Sequence, residues 1–336
     1  MPIIPSRLPL VAAPMAGGIS TPEFVAAVGA AGAFAFLPAG YRSPAALGVD
    51  IAKVRESGVE FGVNLFVPDE RPVDAAAVTR YADSLRPEFT AYDLEPGAPV
   101  LVDDDGWPEK LELLCSHPVP VVSLTFALPE ADAIRRLHRA GSAVLMTVSS
   151  AEEARAAVDR GVDGIIVQGF AAGGHSAIWD PARLPAERAT ADLVAEVRAA
   201  VDVPVLGAGG IDSRASADAV RAAGAEAAVA GTLFLRADEA GTSAPHRAAL
   251  AEAPADATVL TRAYTGRPAR GLRTAFIEAH EDAAPVAYPA VHHLTSPLRR
   301  AATKAGDRDR IHLWAGTGYA NARAVPVAEI VEELAG

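Results

Sequence analysis

The residues with the clearest capacity for chemistry lie in a glycine-rich segment that begins at Gln168, contains Gly169, Gly173 and Gly174, and leads to His175. Glycine has no side chain, so the backbone of this segment can approach a ligand closely and few neighbouring side chains surround the histidine. Imidazole is the side chain whose ordinary pKa best suits proton abstraction near neutral pH. His175 is therefore a candidate general base, and the alternative is a loop histidine that caps a helix or binds backbone groups.

Two further glycine segments have the composition of phosphate-binding loops. Ala208, Gly209 and Gly210 precede a predicted helix, and Gly231 and Thr232 follow the next apolar run. Backbone N–H groups at a helix N-terminus donate hydrogen bonds to phosphate, and the helix dipole favours negative charge there. The threonine adds a hydroxyl group, so the pair of loops predicts a phosphate site.

These loops alone do not define the phosphate ligand. Asp212 occupies the position of the third glycine of a dinucleotide-binding fingerprint, so that motif is excluded. No P-loop or zinc-ligand spacing occurs in the sequence, and we expect no metal site. FMN, a sugar phosphate and pyridoxal phosphate all remain candidates at this point.

Met15 and Asn64 are two more candidate ligand contacts. Met15 lies in a segment of small residues, 13–18, where its side chain could rest against a flat ring; the alternative is an ordinary glycine turn. Asn64 stands inside an apolar run, where an unpaired buried amide costs about 1–3 kcal/mol. Its amide must therefore bind either a ligand or the backbone of a neighbouring strand.

The elements that position these residues follow from hydrophobic runs that alternate with helical stretches. Continuous apolar runs of this kind are typical of parallel strands buried on both faces. Eight β-then-α units in succession predict a (β/α)8 barrel of the TIM type, an α/β fold in which functional residues follow the C-terminal ends of the strands. The eight runs lie at residues 8–13, 33–37, 60–66, 120–125, 143–148, 164–167, 203–208 and 227–230.

The predicted barrel spans residues 1–244 and contains a polar insertion near residues 88–116. Residues 245–336 break the alternating pattern and end in a helix predicted at 327–334. We expect them to form a C-terminal extension packed on the barrel.

Composition limits the kinds of partner. The 336 residues carry a net charge of −12, whereas nucleic acids and membrane surfaces require a basic face. The one cysteine, Cys115, cannot form a disulfide within the chain, which fits a reducing compartment. The N-terminal residues do not have the pattern of a signal peptide. We expect a soluble cytoplasmic enzyme that acts on a small molecule, and a homodimer stays open.

Taken in order, the motifs resemble those of nitronate monooxygenases, formerly called 2-nitropropane dioxygenases. Each motif alone is weak, but the ordered set covers essentially the whole chain. The matching segments are 14–17, 62–64, 168–169, 172–175, 209–211, 231–232, 265–270 and 313–316.

The resemblance implies FMN in a TIM-type barrel, with oxidation of alkyl nitronates or nitroalkanes by O2 to a carbonyl compound and nitrite. His175 corresponds to the family's base. The positions implied for the cofactor are Met15, Asn64, Gln168, Gly173, Gly174, Ala208, Gly209, Gly210, Gly231 and Thr232. The chain departs from the usual pattern around the histidine, at Ala171, Ser176 and Trp179, which bears on the substrate more than on the flavin.

Three alternatives can be weighed from the residues. An FMN-dependent enoyl-thioester reductase using NAD(P)H shares a similar loop, but the position of Gln168 tends to be acidic there. A dehydrogenase of the inosine-monophosphate type needs a cysteine after the sixth strand, and Cys115 lies far from that point. A flavin-binding protein without turnover would not need His175.

Overall fold

The computed structural model describes residues 2–336, and Met1 lies outside the described residues. The strands of this range, in chain order, are β1 (Leu10–Ala12), β2 (Phe34–Pro38), β3 (Gly62–Phe66), β4 (Val121–Thr125), β5 (Ala143–Val148), β6 (Gly164–Gln168), β7 (Gly174–His175), β8 (Val205–Ala208), β9 (Ala227–Ala230), β10 (Thr258–Thr261) and β11 (Ala269–Leu272). Its α-helices are α1 (Pro22–Ala30), α2 (Pro44–Glu56), α3 (Ala75–Ser84), α4 (Arg86–Thr90), α5 (Trp107–Ser116), α6 (Ala131–Ala140), α7 (Ala151–Arg160), α8 (Thr190–Ala200), α9 (Arg214–Ala222), α10 (Ala244–Glu252), α11 (Ala275–His280), α12 (Ala290–Ala305) and α13 (Val327–Ala335).

Eight parallel strands close into a barrel in the order β1-β2-β3-β4-β5-β6-β8-β9. The ring closes where β9 pairs with β1, with Val229 opposite Val11. Each strand is one of the continuous apolar runs of the sequence. The predicted TIM barrel is confirmed.

Alternate side chains of the strands belong to two different cores. Phe34, Phe36, Leu145, Ile166 and Leu206 pack together inside the barrel, whereas their neighbours along each strand join the core between barrel and helices. The Phe36 ring fills the interior opposite Gly62, where a methyl group would collide with it. The barrel is therefore a packed core and not a pore, and ligands are confined to its mouth.

Polar side chains at the N-termini set the starts of the helices. The hydroxyl groups of Thr21, Ser43, Ser150 and Ser213 each accept a hydrogen bond from an amide in the first turn of the next helix. Each such cap satisfies a backbone donor that would otherwise have no partner.

The outer ring of helices is assembled from segments that are distant in sequence. α5, which the sequence analysis put in an insertion, packs between α2 and α6 and against β3, in the place of a barrel helix. α3 contacts α12 instead and contributes Val78 and Tyr81 to a second core with Tyr264 and Leu294. The insertion near residues 88–116 stays a prediction as a unit, although its last helix lies in the ring.

The residues after 244 also contribute to more than one core. β10, β11 and β7 form a small antiparallel sheet at the barrel mouth. α13 returns to the barrel and packs between α9 and α1, so it completes the ring after β9. A domain boundary at residue 244 stays a prediction.

No helix within residues 2–336 has the length and apolar character needed to cross a membrane.

Candidate active site

The loops that follow β1, β3, β6, β8 and β9 meet at one end of the barrel. A methyl group added to Gly231 would lie 3.3 Å from Ala13 Cβ and 3.9 Å from Met15 Sδ. One added to Gly209 would lie 2.9 Å from the carbonyl oxygen of Gly169. The structure therefore brings together the residues that the sequence singled out on separate segments.

The two predicted phosphate loops are adjacent and rich in free donors. Gly209 and Gly210 have φ of 98° and 71°, in the left-handed region that favours glycine. The amide groups of Gly210, Ile211, Gly231 and Thr232 donate to no acceptor within residues 2–336. Four such donors from neighbouring loops suit a phosphate group.

A segment from the C-terminal part of the chain packs against these loops. The amide of Gly316 donates to Thr232 Oγ1 at 2.9 Å, which leaves the threonine's own hydrogen free to donate elsewhere. A side chain on Gly173 would collide with the backbone of Ala315 and Gly316. Gly173 is thus required by this packing, a reason that the sequence analysis did not identify.

Asn64 presents one fixed edge and one free edge. Its Nδ2 atom donates to Ser123 Oγ at 3.0 Å, to the Ser123 carbonyl oxygen at 3.2 Å and to Thr125 Oγ1 at 3.0 Å, all on β4. Its Oδ1 atom accepts no hydrogen bond from the described residues. The amide is therefore held by β4 and can accept from a ligand.

Gln168 uses both ends of its side chain to hold the histidine segment. Nε2 donates to the carbonyl oxygen of His175 at 3.2 Å, and Oε1 accepts from the amide of Ala177 at 2.7 Å. These bonds tie the end of β6 to β7. Gln168 is thus a positioning residue for His175, and its contact with a cofactor stays a prediction.

His175 lies on a strand and among aromatic rings, where the sequence analysis expected a sparse loop. β7 pairs with β11, with His175 opposite Ala269. The imidazole centroid is 5.6–5.7 Å from the rings of Phe126, Tyr288 and Trp314, and its Nε2 atom is 3.0 Å from Thr265 Oγ1. Contacts with the protein therefore hold the imidazole of His175 in one orientation.

Two buried arginines determine the charge around His175. Arg267 is 0% exposed and Arg299 is 6% exposed, and neither forms an ion pair with a carboxylate among the described residues. Arg267 donates to the carbonyl oxygens of Ser176 and Ile178, and its guanidinium lies 4.3 Å above the Phe126 ring. Burial, followed by the charges of these two arginines, lowers the pKa of His175 to about 3. The imidazole is thus neutral at physiological pH.

A cleft with aromatic walls shares two of its rings with the surroundings of His175. Tyr41, Phe66, Phe126 and Tyr288 form its walls, and the acidic run 103–105 lies at its rim. The two tyrosine hydroxyl groups are 3.3 Å apart. Because Phe126 and Tyr288 also contact His175, the cleft lies next to the imidazole.

The residues that depart from the usual family pattern have structural partners. The indole of Trp179 donates to the Thr147 carbonyl oxygen at 3.4 Å and packs against the main core. The carbonyl oxygen of Ser176 accepts from Arg267. Trp179 therefore packs beneath the histidine segment.

Sequence reasoning missed several residues of this site. Arg267, Arg299, Thr265 and Tyr288 had no role assigned. Segment 265–270 was noted as part of the resemblance, and that was the only signal available. A buried guanidinium held by carbonyl groups has no local sequence pattern, because its partners come from distant segments.

Comparison with known proteins gives a consistent result. The family model described as nitronate monooxygenase matches residues 4–336. A nitronate monooxygenase from Paraburkholderia phytofirmans is 33% identical over 352 aligned residues, which cover 99% of this chain and 93% of the relative.

Solved structures agree. Nitroalkane oxidase from Streptomyces ansochromogenes is 46% identical, with a TM-score of 0.93 over 98% of this chain and 95% of that one. FabK from Thermotoga maritima is a weaker match, 26% identical with a TM-score of 0.77 over 99% and 93% of the two chains. These matches confirm a flavin-dependent oxidoreductase that oxidises nitronates or nitroalkanes. The chain belongs to the nitronate monooxygenase family.

Proposed function

We propose that the flavin is FMN and that His175 removes the α-proton of a nitroalkane, giving the nitronate that is then oxidised. The observation that carries this proposal is a neutral imidazole near two buried guanidinium groups without carboxylate partners. A neutral imidazole can accept a proton, and the positive surroundings favour the nitronate anion that forms.

The phosphate end of FMN fits the two glycine loops. Gly210, Ile211, Gly231 and Thr232 offer amide donors, and the Thr232 hydroxyl can add one more. Asn64 offers a free Oδ1 atom at the barrel mouth, suited to an N–H group of the flavin ring. When bound, FMN supplies the transfer of electrons from the nitronate to O2, with a carbonyl compound and nitrite as products.

The protein's own contribution is binding, orientation and one proton transfer. The α-carbon–hydrogen bond breaks, its electron pair becomes part of the C=N bond of the nitronate, and the proton moves to His175. Arg267 and Arg299 oppose the imidazolium that results, whereas the adjacent nitronate stabilises it. A preformed nitronate is already an anion, so its oxidation does not need this step.

The aromatic cleft supports a small substrate with an apolar body. Its walls of Tyr41, Phe66, Phe126 and Tyr288 suit alkyl groups. The stronger match to nitroalkane oxidase than to FabK favours the oxygenase over the reductase.

The first test identifies the cofactor and the electron donor. The purified protein should be yellow and release FMN, identified by mass spectrometry. Anaerobic addition of propyl-2-nitronate should bleach the flavin, and NADPH should not. Bleaching by NADPH alone would support the reductase, a bound flavin inert to both would support a binding protein without turnover, and a colourless protein would overturn the proposal.

A further inference from the structure

Thr265 lies between β10 and β11 of the small antiparallel sheet and contacts the imidazole of His175. It is 1% exposed, and its Oγ1 atom lies 3.0 Å from Nε2 of His175. We infer that Thr265 fixes the tautomer of His175, so that Nδ1 is the atom that accepts the substrate's proton. This inference rests on the proposed role of His175 as base.

The direction of the hydrogen bond follows from a second contact. Thr265 Oγ1 also lies 3.2 Å from the carbonyl oxygen of Arg267. A carbonyl oxygen only accepts, so the single hydroxyl hydrogen of Thr265 is donated to Arg267. Thr265 Oγ1 must then accept from His175, which places the ring hydrogen on Nε2.

A neutral imidazole carries one N–H group, so a hydrogen on Nε2 leaves the lone pair on Nδ1. Nδ1 has no hydrogen-bond partner within residues 2–336, and it is absent from the fully buried unpartnered atoms of that range. It therefore borders accessible space beside the ring contacts with Phe126 and Tyr288.

The Arg267 carbonyl oxygen is itself held in place. Arg267 is anchored through its guanidinium to the carbonyl oxygens of Ser176 and Ile178, directly after the base. The series of hydrogen bonds from His175 to Thr265 and on to Arg267 therefore returns to the backbone directly after His175. The tautomer is set by this closed unit, and Thr265 acts as a positioning residue that does not touch the substrate.

In the reaction, the proton from the α-carbon moves to Nδ1. Nε2 stays protonated throughout and continues to donate its hydrogen bond to Thr265 Oγ1. Without the hydroxyl, the two tautomers become closer in energy, and the form with hydrogen on Nδ1 cannot accept a proton there. Loss of the hydroxyl should thus reduce deprotonation of nitroalkanes and spare the oxidation of nitronates.

The test compares Thr265→Val, which keeps the shape but lacks the hydroxyl, with Thr265→Ser, which keeps it. Nitrogen-15 NMR of the flavin-loaded protein with labelled histidine reports the tautomer directly. The chain has 8 histidines, and the signal missing from His175→Asn identifies the base. The inference expects the Nε2–H form in the natural protein and in Thr265→Ser, and a mixture in Thr265→Val.

Kinetics give the second measurement. Thr265→Val should lose about 10-fold or more in kcat/KM on neutral nitroethane and stay within about 3-fold on ethyl nitronate, and Thr265→Ser should recover most of the loss. An Nδ1–H signal in the natural protein, or equal losses on both substrates in Thr265→Val, would overturn the inference. The NMR result on the natural protein needs only the His175→Asn spectrum for assignment and no turnover, so it decides the tautomer even where the proposed function fails.

Discussion

The surroundings of His175 make the charge of its ring depend on the charge of a bound ligand. Burial and the positive charges of Arg267 and Arg299 keep its pKa near 3, so the ring is a neutral acceptor in the resting protein. Taking up a proton would add a third cation to this region. In the proposed mechanism that step becomes favourable only when an anion is present, so protonation of His175 and retention of the nitronate depend on each other.

Replacing His175 by Asn tests its role as base. We expect activity on neutral nitroalkanes to fall by roughly 10²-fold or more, because the acceptor of the α-proton is lost, while flavin content is unchanged. Activity on preformed nitronates should suffer less. Steady-state rates on both substrate forms measure the difference.

His138→Asn is the matched control, because His138 lies on the surface of α6 and pairs with Asp163. It should leave both rates unchanged. Equal losses on nitroalkane and nitronate in His175→Asn, with flavin retained, would argue against a base.

The lowered pKa of His175 also predicts a pH profile. Since burial and the two arginines depress it to about 3, the base stays unprotonated throughout the range from pH 5 to 7. We expect kcat/KM for a neutral nitroalkane to show no acid limb at the ordinary pKa of histidine. Initial rates across this range measure it, and a rise centred near pH 6.5 would contradict the assignment.

At the scale of elements, Gln168 joins the barrel to the small sheet at the mouth. Both of its polar atoms bind the segment that carries His175. The orientation of His175 therefore depends on the end of β6 as well as on the pairing of β7 with β11.

Gln168→Glu tests this link. The carboxylate would face the His175 carbonyl oxygen with no hydrogen to donate, so we expect a loss of about 1–3 kcal/mol in the free energy of unfolding. Activity on nitroalkanes should fall by about 10-fold as the base shifts. Denaturant unfolding and rates measure the two effects, and no change in either would mean that Gln168 does not position the histidine.

The ring of helices could be predicted only in part from the sequence. The continuous apolar runs predicted the barrel because a strand that is apolar on both faces must be covered on both faces, as the strands of a parallel sheet are. The apolar faces of α3 and α5 have the same helical spacing whichever core they join. In the structure α3 packs against α12 and α5 packs against α6. The local sequence of each helix does not indicate which core it joins.

The candidate site was predictable to the extent that small residues and glycines mark close approaches. Gly209, Gly210 and Gly231 were identified because their backbone needs show in the sequence. Thr265 and Arg299 were not, because a buried polar side chain is defined by partners far along the chain. β7 was missed for the same reason: its two residues pair with β11.

Ile330 tests whether α13 is a true member of the ring. It is 4% exposed and packs in the main core, so Ile330→Ala should reduce the free energy of unfolding by about 2–5 kcal/mol. Glu332→Ala, two residues further along α13 on its exposed face, should change it by less than about 0.5 kcal/mol. Thermal unfolding compares them, and equal stability would show that α13 only rests on the surface.

At the scale of the whole molecule, several histidines are kept neutral inside the fold. Burial is the main cause that lowers the pKa of His246 to about 4 and holds the pKa values of His292 and His312 well below the ordinary range, as it does for His175. The unfolded chain takes up protons on these groups below pH 6.5, whereas the folded chain does not. The contribution of these histidines to the free energy of unfolding is therefore fully present at neutral pH and decreases as the pH falls.

We expect the free energy of unfolding to fall between pH 7 and pH 5, with each such histidine contributing up to about 1.4 kcal/mol per pH unit. His246→Gln removes one of them and should make the slope correspondingly shallower. Urea unfolding at several pH values measures the slope. A free energy that is constant from pH 7 to pH 5 would show that these histidines take up protons equally in the folded and unfolded states.

The return of α13 to the barrel has a consequence for synthesis. α1 is among the first helices to leave the ribosome, yet its partner in the ring is among the last. Throughout translation the apolar faces of α1 and α9 lack their cover, which exposes the nascent barrel to association with other chains. A chain that stops before α13 therefore leaves an open seam between α1 and α9, where their apolar side chains meet solvent.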